Sequence, residues 1–247
     1  MKAEAETTPS LPLRRLSRYA NFSSEERSWL ADSLSGRQVL ATRSEINVAS
    51  KQPPRALIAL LDGFACRVQA VGNGRRQITA FLLPGDICDF RFLVSEPAET
   101  GIVSLQPTTV AVVDQERIVS LCERFPRITR ALLRASAVDE AIARQWLTSI
   151  GQRSAIERTA HLFCELLMRM RAVGLARDLS YDLPATQAEL GDALGLSAIH
   201  MNRTIQQLRR QNVISYVRGR VTVLDPPRLA QLALFDQSYL RIGATVH

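Results

Sequence analysis

The side chains best suited to recognise another molecule are concentrated on one face of the segment from Ala198 to Arg210. At 3.6 residues per helical turn, small and polar side chains share this face, with two arginines at its far end: Ala198, Ile199, His200, Asn202, Arg203, Gln206, Arg209 and Arg210. Such side chains in the N-terminal half of a helix suit insertion into the major groove of DNA. The chemistry that this face predicts is recognition of base edges.

Groups for catalysis or metal binding are sparse. The chain has three histidines, His161, His200 and His247, and lacks a Walker loop, a G-x-S-x-G motif and an H-E-x-x-H motif. His161 and Cys164 lie one helical turn apart, but two ligands do not complete a metal site. We expect no enzyme activity, no metal and no other cofactor.

The four cysteines are widely scattered and form no C-x-x-C pair: Cys66, Cys88, Cys122 and Cys164. This spacing favours small, buried, reduced thiols in a cytosolic protein over a disulfide scaffold. A thiol redox sensor acting through Cys88 or Cys122 remains an alternative, and it requires a thiol that is exposed and has a low pKa.

Two short helices joined by a tight turn are predicted to position the recognition face. Thr186 and Glu189 have capping-box spacing at the start of the first helix, and Gly195 ends it. Ser197 can cap the second helix, whose buried side is predicted to be formed by Met201, Thr204, Ile205 and Leu208. This pattern is typical of a helix-turn-helix.

A β-hairpin is predicted directly after the second helix. The segments VISYV and VTVLD are separated by RGR, which places Gly219 at the tip between Arg218 and Arg220. These arginines can reach phosphates on either side of a groove. The hairpin favours a winged helix-turn-helix over ordinary packing within a helical domain. We therefore add four residues to the predicted DNA contacts: Thr186, Ser197, Arg218 and Arg220.

Charge and hydropathy agree with a DNA-binding protein that does not enter a membrane. Lys and Arg number 31 against 24 Asp and Glu, a formal net charge of +7, as expected for binding a polyanion. The N-terminus lacks an apolar signal core, and no apolar run reaches the roughly 18 residues of a membrane span. We expect a cytoplasmic location.

The first half of the chain predicts a β-roll followed by a long helix. Short β-rich runs separated by turns extend from Gln38 to about Val113, with an Asn73-Gly74 hairpin tip. A long helical stripe follows, which we assign to pairing with a second copy: Leu132, Ala135, Val138, Ile142 and Trp146. The alternative is that this stripe packs only on its own domain.

These elements give an α+β fold with four segments. We predict a disordered tail at 1–12, a β-roll sensor domain at 13–126, a dimerisation helix at 127–150 and a winged helix-turn-helix domain at 151–247. A hinge is expected at residues 151–153, between the long helix and the last domain.

This order of elements resembles the Crp/Fnr superfamily of bacterial transcription regulators, in a branch common in alphaproteobacteria. The resemblance rests on GFACRVQAVGNGRRQITAFLLPGDICD, GQRSAIERTAHLFCELL and LGLSAIHMNRTIQQLRRQNVIS. It implies a cyclic-nucleotide-binding-like roll and a homodimer on a partly palindromic operator, with recognition helices about one DNA turn apart. It also makes RNA polymerase a candidate partner.

The resemblance transfers one base contact and removes others. Arg203 matches the family arginine that bonds O6 and N7 of guanine. Ile199 stands at the family's glutamate position, Ala198 replaces an arginine of cyclic-AMP members, and Asn202 replaces a serine of oxygen-responsive members. The operator core should therefore differ from both well-known consensus sequences. His200 is either a phosphate donor or a solvated side chain.

The resemblance also locates an effector pocket, formed by Gly85, Asp86, Asp89, Phe90, Thr100 and Gly101. Phe90 stands at the family's ribose-binding glutamate, and Thr100 and Gly101 at its phosphate-binding Arg-Ser pair, while Glu99 adds repulsive charge. Cyclic AMP is therefore not expected to bind. Residues 1–65 contain no cysteine for an iron-sulfur cluster, and the roll has no histidine for haem.

The sequence favours a DNA-binding regulator, which either senses an unidentified small molecule or is controlled by its abundance alone. Two other functions remain open. One is a ligand-responsive protein that acts mainly through protein contacts, with a degenerate DNA face. The other is the thiol sensor. Salt-dependent DNA binding separates the first of these from a DNA-binding regulator.

Overall fold

The computed structural model describes residues 10–47, 56–91 and 100–242. The first part of the chain alternates short helices with antiparallel strands: α1 (Leu11–Leu16), α2 (Ser24–Ser33), β1 (Gln38–Leu40), β2 (Glu45–Asn47), β3 (Ala56–Asp62), β4 (Ala65–Gly72), β5 (Arg75–Leu82), β6 (Gly101–Ser104) and β7 (Thr108–Asp114). The rest is mostly helical: α3 (Gln115–Arg124), α4 (Pro126–Gln152), α5 (Ala155–Ala172), β8 (Ser180–Asp182), α6 (Gln187–Leu194), α7 (Ala198–Arg210), β9 (Ile214–Val217), β10 (Arg220–Val223), α8 (Pro226–Ala233) and a 3-10 turn (Gln237–Leu240).

The first helix starts earlier than the sequence predicted. Helix α1 includes Leu11 and Pro12, so the predicted disorder over 1–12 is wrong for these two residues, and residues 1–9 lie outside the described residues. Proline suits the first turn because its missing N–H has no intrahelical partner there. The predicted capping box of α2 is present, with Ser23 accepting from Glu26 N and the Glu26 carboxylate accepting from Ser23 N.

Two antiparallel sheets form the β-roll, with strand orders β1-β7-β3 and β2-β6-β4-β5. The β4–β5 turn places Asn73 and Gly74 at φ values of 52° and 71°, which is the hairpin geometry that an Asn-Gly pair favours. A buried apolar cluster contributed by both sheets fills the inside of the roll: Leu60, Ala65, Leu82, Cys88, Ile102 and Val110. The predicted roll is confirmed.

Helix α4 is the long helix that the sequence predicted, but its apolar stripe faces inward. The five residues assigned to a dimer interface are all buried by their own chain: Leu132, Ala135, Val138, Ile142 and Trp146. The ring of Trp146, for example, meets the ring of Phe81 of β5 with centroids 5.8 Å apart. The assignment of this stripe to a partner is therefore wrong, because amphipathicity identifies the covered face of a helix and not what covers it.

The C-terminal domain consists of α5, the helix pair α6 and α7, a small sheet and α8. Ser154 and Glu157 form a capping box at the start of α5, directly after Arg153, which is extended. The predicted hinge at 151–153 is wrong for Gly151 and Gln152, which continue α4. The sheet has the order β8-β10-β9, so β8 adds a third strand to the predicted hairpin. The predicted α+β architecture of roll, long helix and winged helix-turn-helix is confirmed.

A buried ionic cluster joins the roll to the C-terminal domain. The carboxylate of Asp86, in the turn after β5, contacts the guanidinium of Arg15 from α1 and lies 2.6 Å from Arg169 of α5. Arg169 also lies 3.2 Å from Glu165, and burial raises the pKa of that carboxyl. The side chains of all four residues are at most 10% exposed.

The two halves also meet through α6 and β5. Arg76 Nε lies 2.9 Å from Asp192, and Gln77 donates to the carbonyl of Ala193 at 3.2 Å. Helix α6 is thereby held against the roll.

Candidate nucleic-acid interface

The turn between α6 and α7 depends on two glycines. Gly195 ends α6 at φ 63°, a left-handed conformation that glycine adopts without strain. At Gly191 a Cβ would lie 2.4 Å from the carbonyl oxygen of Leu196, so the chain can fold back this closely only without a side chain. The helix pair therefore has the tight geometry that its sequence predicted.

Both helices of the pair begin with the predicted caps. Thr186 Oγ1 accepts from Glu189 N at 3.2 Å, and the Glu189 carboxylate accepts from Thr186 N at 2.8 Å. Ser197 Oγ accepts from His200 N at 3.2 Å. These bonds satisfy N–H groups at the start of each helix and fix its orientation.

Helix α7 divides into a buried side and a free side. Met201, Thr204, Ile205 and Leu208 are buried, as predicted. The opposite side presents exposed side chains: Ala198, Ile199, His200, Arg203, Arg209 and Arg210. The side chain of Ile199 is 68% exposed. The face that the sequence selected is therefore a surface.

Arg203 is available for recognition. Its side chain is exposed, and among the described residues it has no hydrogen-bond or ion-pair partner. Its neighbour Asn202 is half-buried and donates to Gln187 Oε1 at 2.9 Å. Gln187 was not predictable from the sequence, because glutamine in the first turn of a helix carries no distinctive signal.

The wing is a tight hairpin close to the start of α6. Arg218 and Gly219 have φ values of 50° and 77°, and Leu183 N donates to Gly219 O at 2.6 Å. Tyr216 OH donates to the carbonyl of Ala185 at 3.2 Å. A groove of about 390 Å³ runs between the wing tip and the start of α6 and includes Thr186 and Gln187 in its wall.

The two wing arginines differ in their surroundings. Arg220 forms a 3.1 Å ion pair with Asp182 of β8, and both side chains are more than half exposed. Arg218 is exposed at the tip. An exposed pair of this kind is weak, so Arg220 can exchange its carboxylate partner for a phosphate.

Comparisons with known proteins match both halves of this architecture. A model of the cyclic nucleotide-binding domain matches residues 41–125, and a model of the Crp-like helix-turn-helix domain matches residues 157–232. The chain belongs to the Crp/Fnr superfamily.

Individual relatives agree with this membership. The nitrogen fixation regulation protein FixK of Bradyrhizobium diazoefficiens is 26% identical over 198 residues, 80% of this chain and 82% of the relative. The transcriptional activator protein FnrL of Cereibacter sphaeroides is 28% identical over 182 residues, 71% of each chain. The solved structure of FixK2 from Bradyrhizobium japonicum is similar with a TM-score of 0.71 at 24% identity, covering 79% of this chain and 96% of that chain.

Four of the six residues assigned to a Crp/Fnr effector pocket have close contacts within the chain. Gly85 lies against the backbone of Leu11, and Asp86 belongs to the buried ionic cluster. Asp89 instead pairs with Arg91 at 2.8 Å, and Arg91 also donates to Thr100 Oγ1 at 3.3 Å. Phe90 and Gly101 are half-buried. Asp86 is thus engaged by two arginines of the chain itself.

The thiols of this Crp/Fnr chain are unsuited to sensing. Cys88 is fully buried, and burial raises its pKa to about 12, with a further contribution from the charge of Asp86. Burial also raises the pKa of Cys122, which is half-buried. A reactive thiol needs exposure and a lowered pKa, so the geometry disfavours the thiol-sensor alternative.

The candidate pair His161 and Cys164 lies in the core instead of at a metal site. His161 packs between Phe235 and Tyr239, with ring centroids 5.2 and 5.9 Å away. Across residues 10–47, 56–91 and 100–242, no group of three or more His, Cys, Asp or Glu side chains is arranged to hold a metal ion. Within the same ranges, each helix is too short or too polar to cross a membrane.

Proposed function

We propose that this chain is a DNA-binding transcription regulator that acts as a homodimer on a partly palindromic operator. The observation that carries the proposal is the exposed face of α7, on which Arg203 projects from a rigidly capped helix pair with none of its donors committed to the described residues. The names of the relatives, which include a nitrogen fixation regulator and a transcriptional activator, support the same function.

In this proposal α7 enters the major groove and the wing contacts the backbone. Arg203 donates two hydrogen bonds to one guanine, whereas Ile199 offers only apolar contact, for example to a thymine methyl. Arg218 and Arg220 bind phosphates beside the groove and supply affinity without sequence preference. Thr186 and Gln187 line the groove beside the wing, where a phosphate can approach the start of α6.

The dimer is assigned to a different stripe of α4 from the one that the sequence suggested. Residues that remain exposed or half-exposed recur at alternating intervals of three and four along this helix: Leu133, Ser136, Glu140, Ala143, Leu147 and Ile150. Leu133 and Leu147 are 58% and 74% exposed. A 3.5-residue repeat with exposed leucines is the pattern of a two-helix seam, and pairing along it would place two copies of α7 for one palindrome.

Cyclic AMP is not the proposed effector. An apolar cluster fills the inside of the roll, and Arg91 is already paired with Asp89. Phe90 offers no hydrogen bond to a ribose, and neither Thr100 nor Gly101 offers the cation that anchors a phosphodiester. We infer a sensor for another molecule; RNA polymerase as a partner stays a prediction.

The proposal is tested by selecting bound sequences from a random duplex pool with the purified, ligand-free protein. A two-fold symmetric motif is expected, with half-site centres about one helical turn apart. Enrichment of a single unpaired half-site would contradict the dimer. Binding that stays sequence-independent, and equally strong after Arg203→Ala, would contradict the role of α7.

A salt series with the selected duplex separates this function from regulation through protein contacts alone. Between roughly 50 and 200 mM salt, affinity should fall by several orders of magnitude if each copy contacts several phosphates. A protein with a degenerate DNA face would show no measurable binding even at the low end.

A further inference from the structure

A cavity of about 650 Å³ includes none of the proposed DNA-contact residues in its lining. Its walls come from the turn after α1, from the middle of α4 and from the 3-10 turn near the end of the chain. The lining includes four arginines and one glutamate: Arg18, Arg134, Arg144, Arg241 and Glu140. This volume is in the range of sites for small molecules.

The four arginines are only partly neutralised by the described residues. Arg144 forms an exposed ion pair with Glu140, and Arg134 donates to the carbonyl of Tyr19 at 2.5 Å. Arg18 Nη2 is buried, yet among the described residues it has no hydrogen-bond partner. Burial lowers the pKa of Arg18, against the opposing charges of Tyr19 and Asp86. A buried N–H donor without an acceptor is unfavourable, so a cavity that gathers this donor and three further arginines is complementary to an anion.

We propose that the cavity binds a small anion that carries at least two negative charges on phosphate or carboxylate groups. Such groups accept the paired hydrogen bonds that guanidinium donates, and one ligand could bridge Arg18, Arg134 and Arg241. The cavity lies on the flank of α4 beside the proposed dimer seam, with which it shares Glu140. It does not include the residues assigned to the family's effector pocket.

A ligand at this site would connect the two halves of the molecule. Arg18 and Arg134 belong to the sensor half and the long helix, whereas Tyr239 and Arg241 follow the DNA-binding elements. Tyr239 OH donates to Glu165 at 3.0 Å, and Glu165 continues through Arg169 to Asp86. The anion would therefore hold the C-terminal turn against α4. Its effect on DNA affinity rests on the proposed function, but its binding does not.

The test uses the full chain without DNA, and inorganic pyrophosphate and citrate as the two probes. Binding is measured by titration calorimetry at constant ionic strength. The wild type should bind at least one probe with a dissociation constant below about 1 mM, and that probe should raise the melting temperature. Pyrophosphate binding alone would identify a phosphate ligand, and citrate binding alone a carboxylate ligand.

Three variants define the site. Arg18→Gln and Arg241→Asn should each weaken binding by about tenfold or more. Position 241 is exposed and has a φ of 50°, which asparagine tolerates. Arg241→Asn should therefore fold even if Arg18→Gln does not. Arg130→Gln is the matched control, because Arg130 is exposed on α4 outside the cavity.

Two results would overturn the inference. One is a wild type that binds neither probe at millimolar concentration. The other is equal weakening by Arg130→Gln, which would show general charge attraction. Because no DNA is present, neither result depends on whether the chain is a DNA-binding regulator.

Discussion

Arg203 and Arg218 carry the same charge, but their surroundings give them different proposed roles. Arg203 projects from the middle of a helix whose opposite side is locked into the core by Met201 and Leu208. Arg218 lies at the tip of a two-stranded turn in a left-handed conformation. A side chain on a rigid helix can meet one base, whereas a side chain at a hairpin tip reaches the backbone of any sequence.

Replacing these two arginines should therefore affect DNA binding in different ways. Arg203→Ala should weaken operator binding by about 1–3 kcal/mol and relax the preference at one base pair per half-site. Arg218→Ala should weaken operator and random DNA to the same extent and reduce the slope of affinity against salt. Fluorescence anisotropy on both duplexes over a salt series measures all of these effects.

The matched comparison is the ratio of operator to random affinity. It should fall in Arg203→Ala and stay constant in Arg218→Ala. If both variants lose the same affinity on both duplexes, the assigned roles are wrong.

His161 makes the stability of the protein depend on pH. Burial, followed by the charge of Arg153, lowers the pKa of this imidazole to about 4, and Nε2 is buried with no partner among the described residues. As the pH falls from about 6.5 to 4, the unfolded chain takes up a proton at this position and the folded chain does not. The free energy of unfolding should therefore fall over this range by up to about 3 kcal/mol.

The control for this prediction is His161→Phe, which keeps an aromatic ring between Phe235 and Tyr239. Urea unfolding at several pH values should show a shallower decline for the variant between pH 6.5 and 4. Parallel curves for the two proteins would contradict the prediction, because they would mean that the pKa of His161 is the same in the folded and unfolded chains.

At the scale of elements, the sequence predicted what local chemistry determines. The helix pair was predictable because its caps, its left-handed Gly195 and its apolar spacing all lie within 23 residues, Thr186 to Leu208. Strand β8 was missed because three residues, Ser180–Asp182, are too few to show periodicity, and pairing with β10 about 40 residues later creates the strand.

Helix α4 shows a different limit. Its buried stripe was visible in the sequence, but whether Leu132 or Trp146 would meet the roll or a second copy depends on the position of other elements. The structure covers these residues within the chain and leaves Leu133 and Leu147 exposed. The exposed leucines could be recognised as a dimer seam only after the structure had shown that the chain itself covers the buried stripe.

The proposed seam predicts the effect of a single charge. Leu147→Glu should place like charges opposite each other near the seam and convert the dimer to a monomer at micromolar concentration, as measured by light scattering during gel filtration. Because each half-site then binds alone, affinity for the palindrome should fall toward that of one half-site.

Thr148→Glu adds the same charge at the next exposed position, one residue outside the 3.5-residue repeat. This control should remain dimeric. A dimeric Leu147→Glu would place the interface elsewhere, whereas loss of the dimer in both variants would indicate a wider contact than the proposed seam.

At the scale of the whole molecule, contacts between distant parts of the chain define how the two halves are joined. Asp86 is 71 residues from Arg15 and 83 residues from Arg169 in sequence. The family resemblance placed Asp86 in an effector pocket, but sequence patterns could not show that two buried cations would converge on it. The same cluster passes through Glu165 to Tyr239 beside the arginine cavity, so the roll, the helix-turn-helix domain and the proposed anion site share one network.

The buried and exposed contacts between the halves should differ in strength. Asp86→Asn removes one carboxylate from both Arg15 and Arg169, which keep Asp139 and Glu165 as their remaining partners. Removing one partner of a buried ionic group costs about 3–5 kcal/mol, and the remaining carboxylates should place this variant at the lower end of that range. Asp192→Asn removes a partner of Arg76, but both side chains of that pair are at least 35% exposed. Its cost should stay below about 1 kcal/mol. Urea unfolding is followed by the fluorescence of Trp146 in a Trp29→Phe background, because the chain has two tryptophans and Trp146 contacts both Phe81 and Glu165 at this junction. If Asp86→Asn lowers the free energy of unfolding no more than Asp192→Asn does, apolar packing holds the halves together. The ionic cluster would then set the orientation of the halves without adding to their stability.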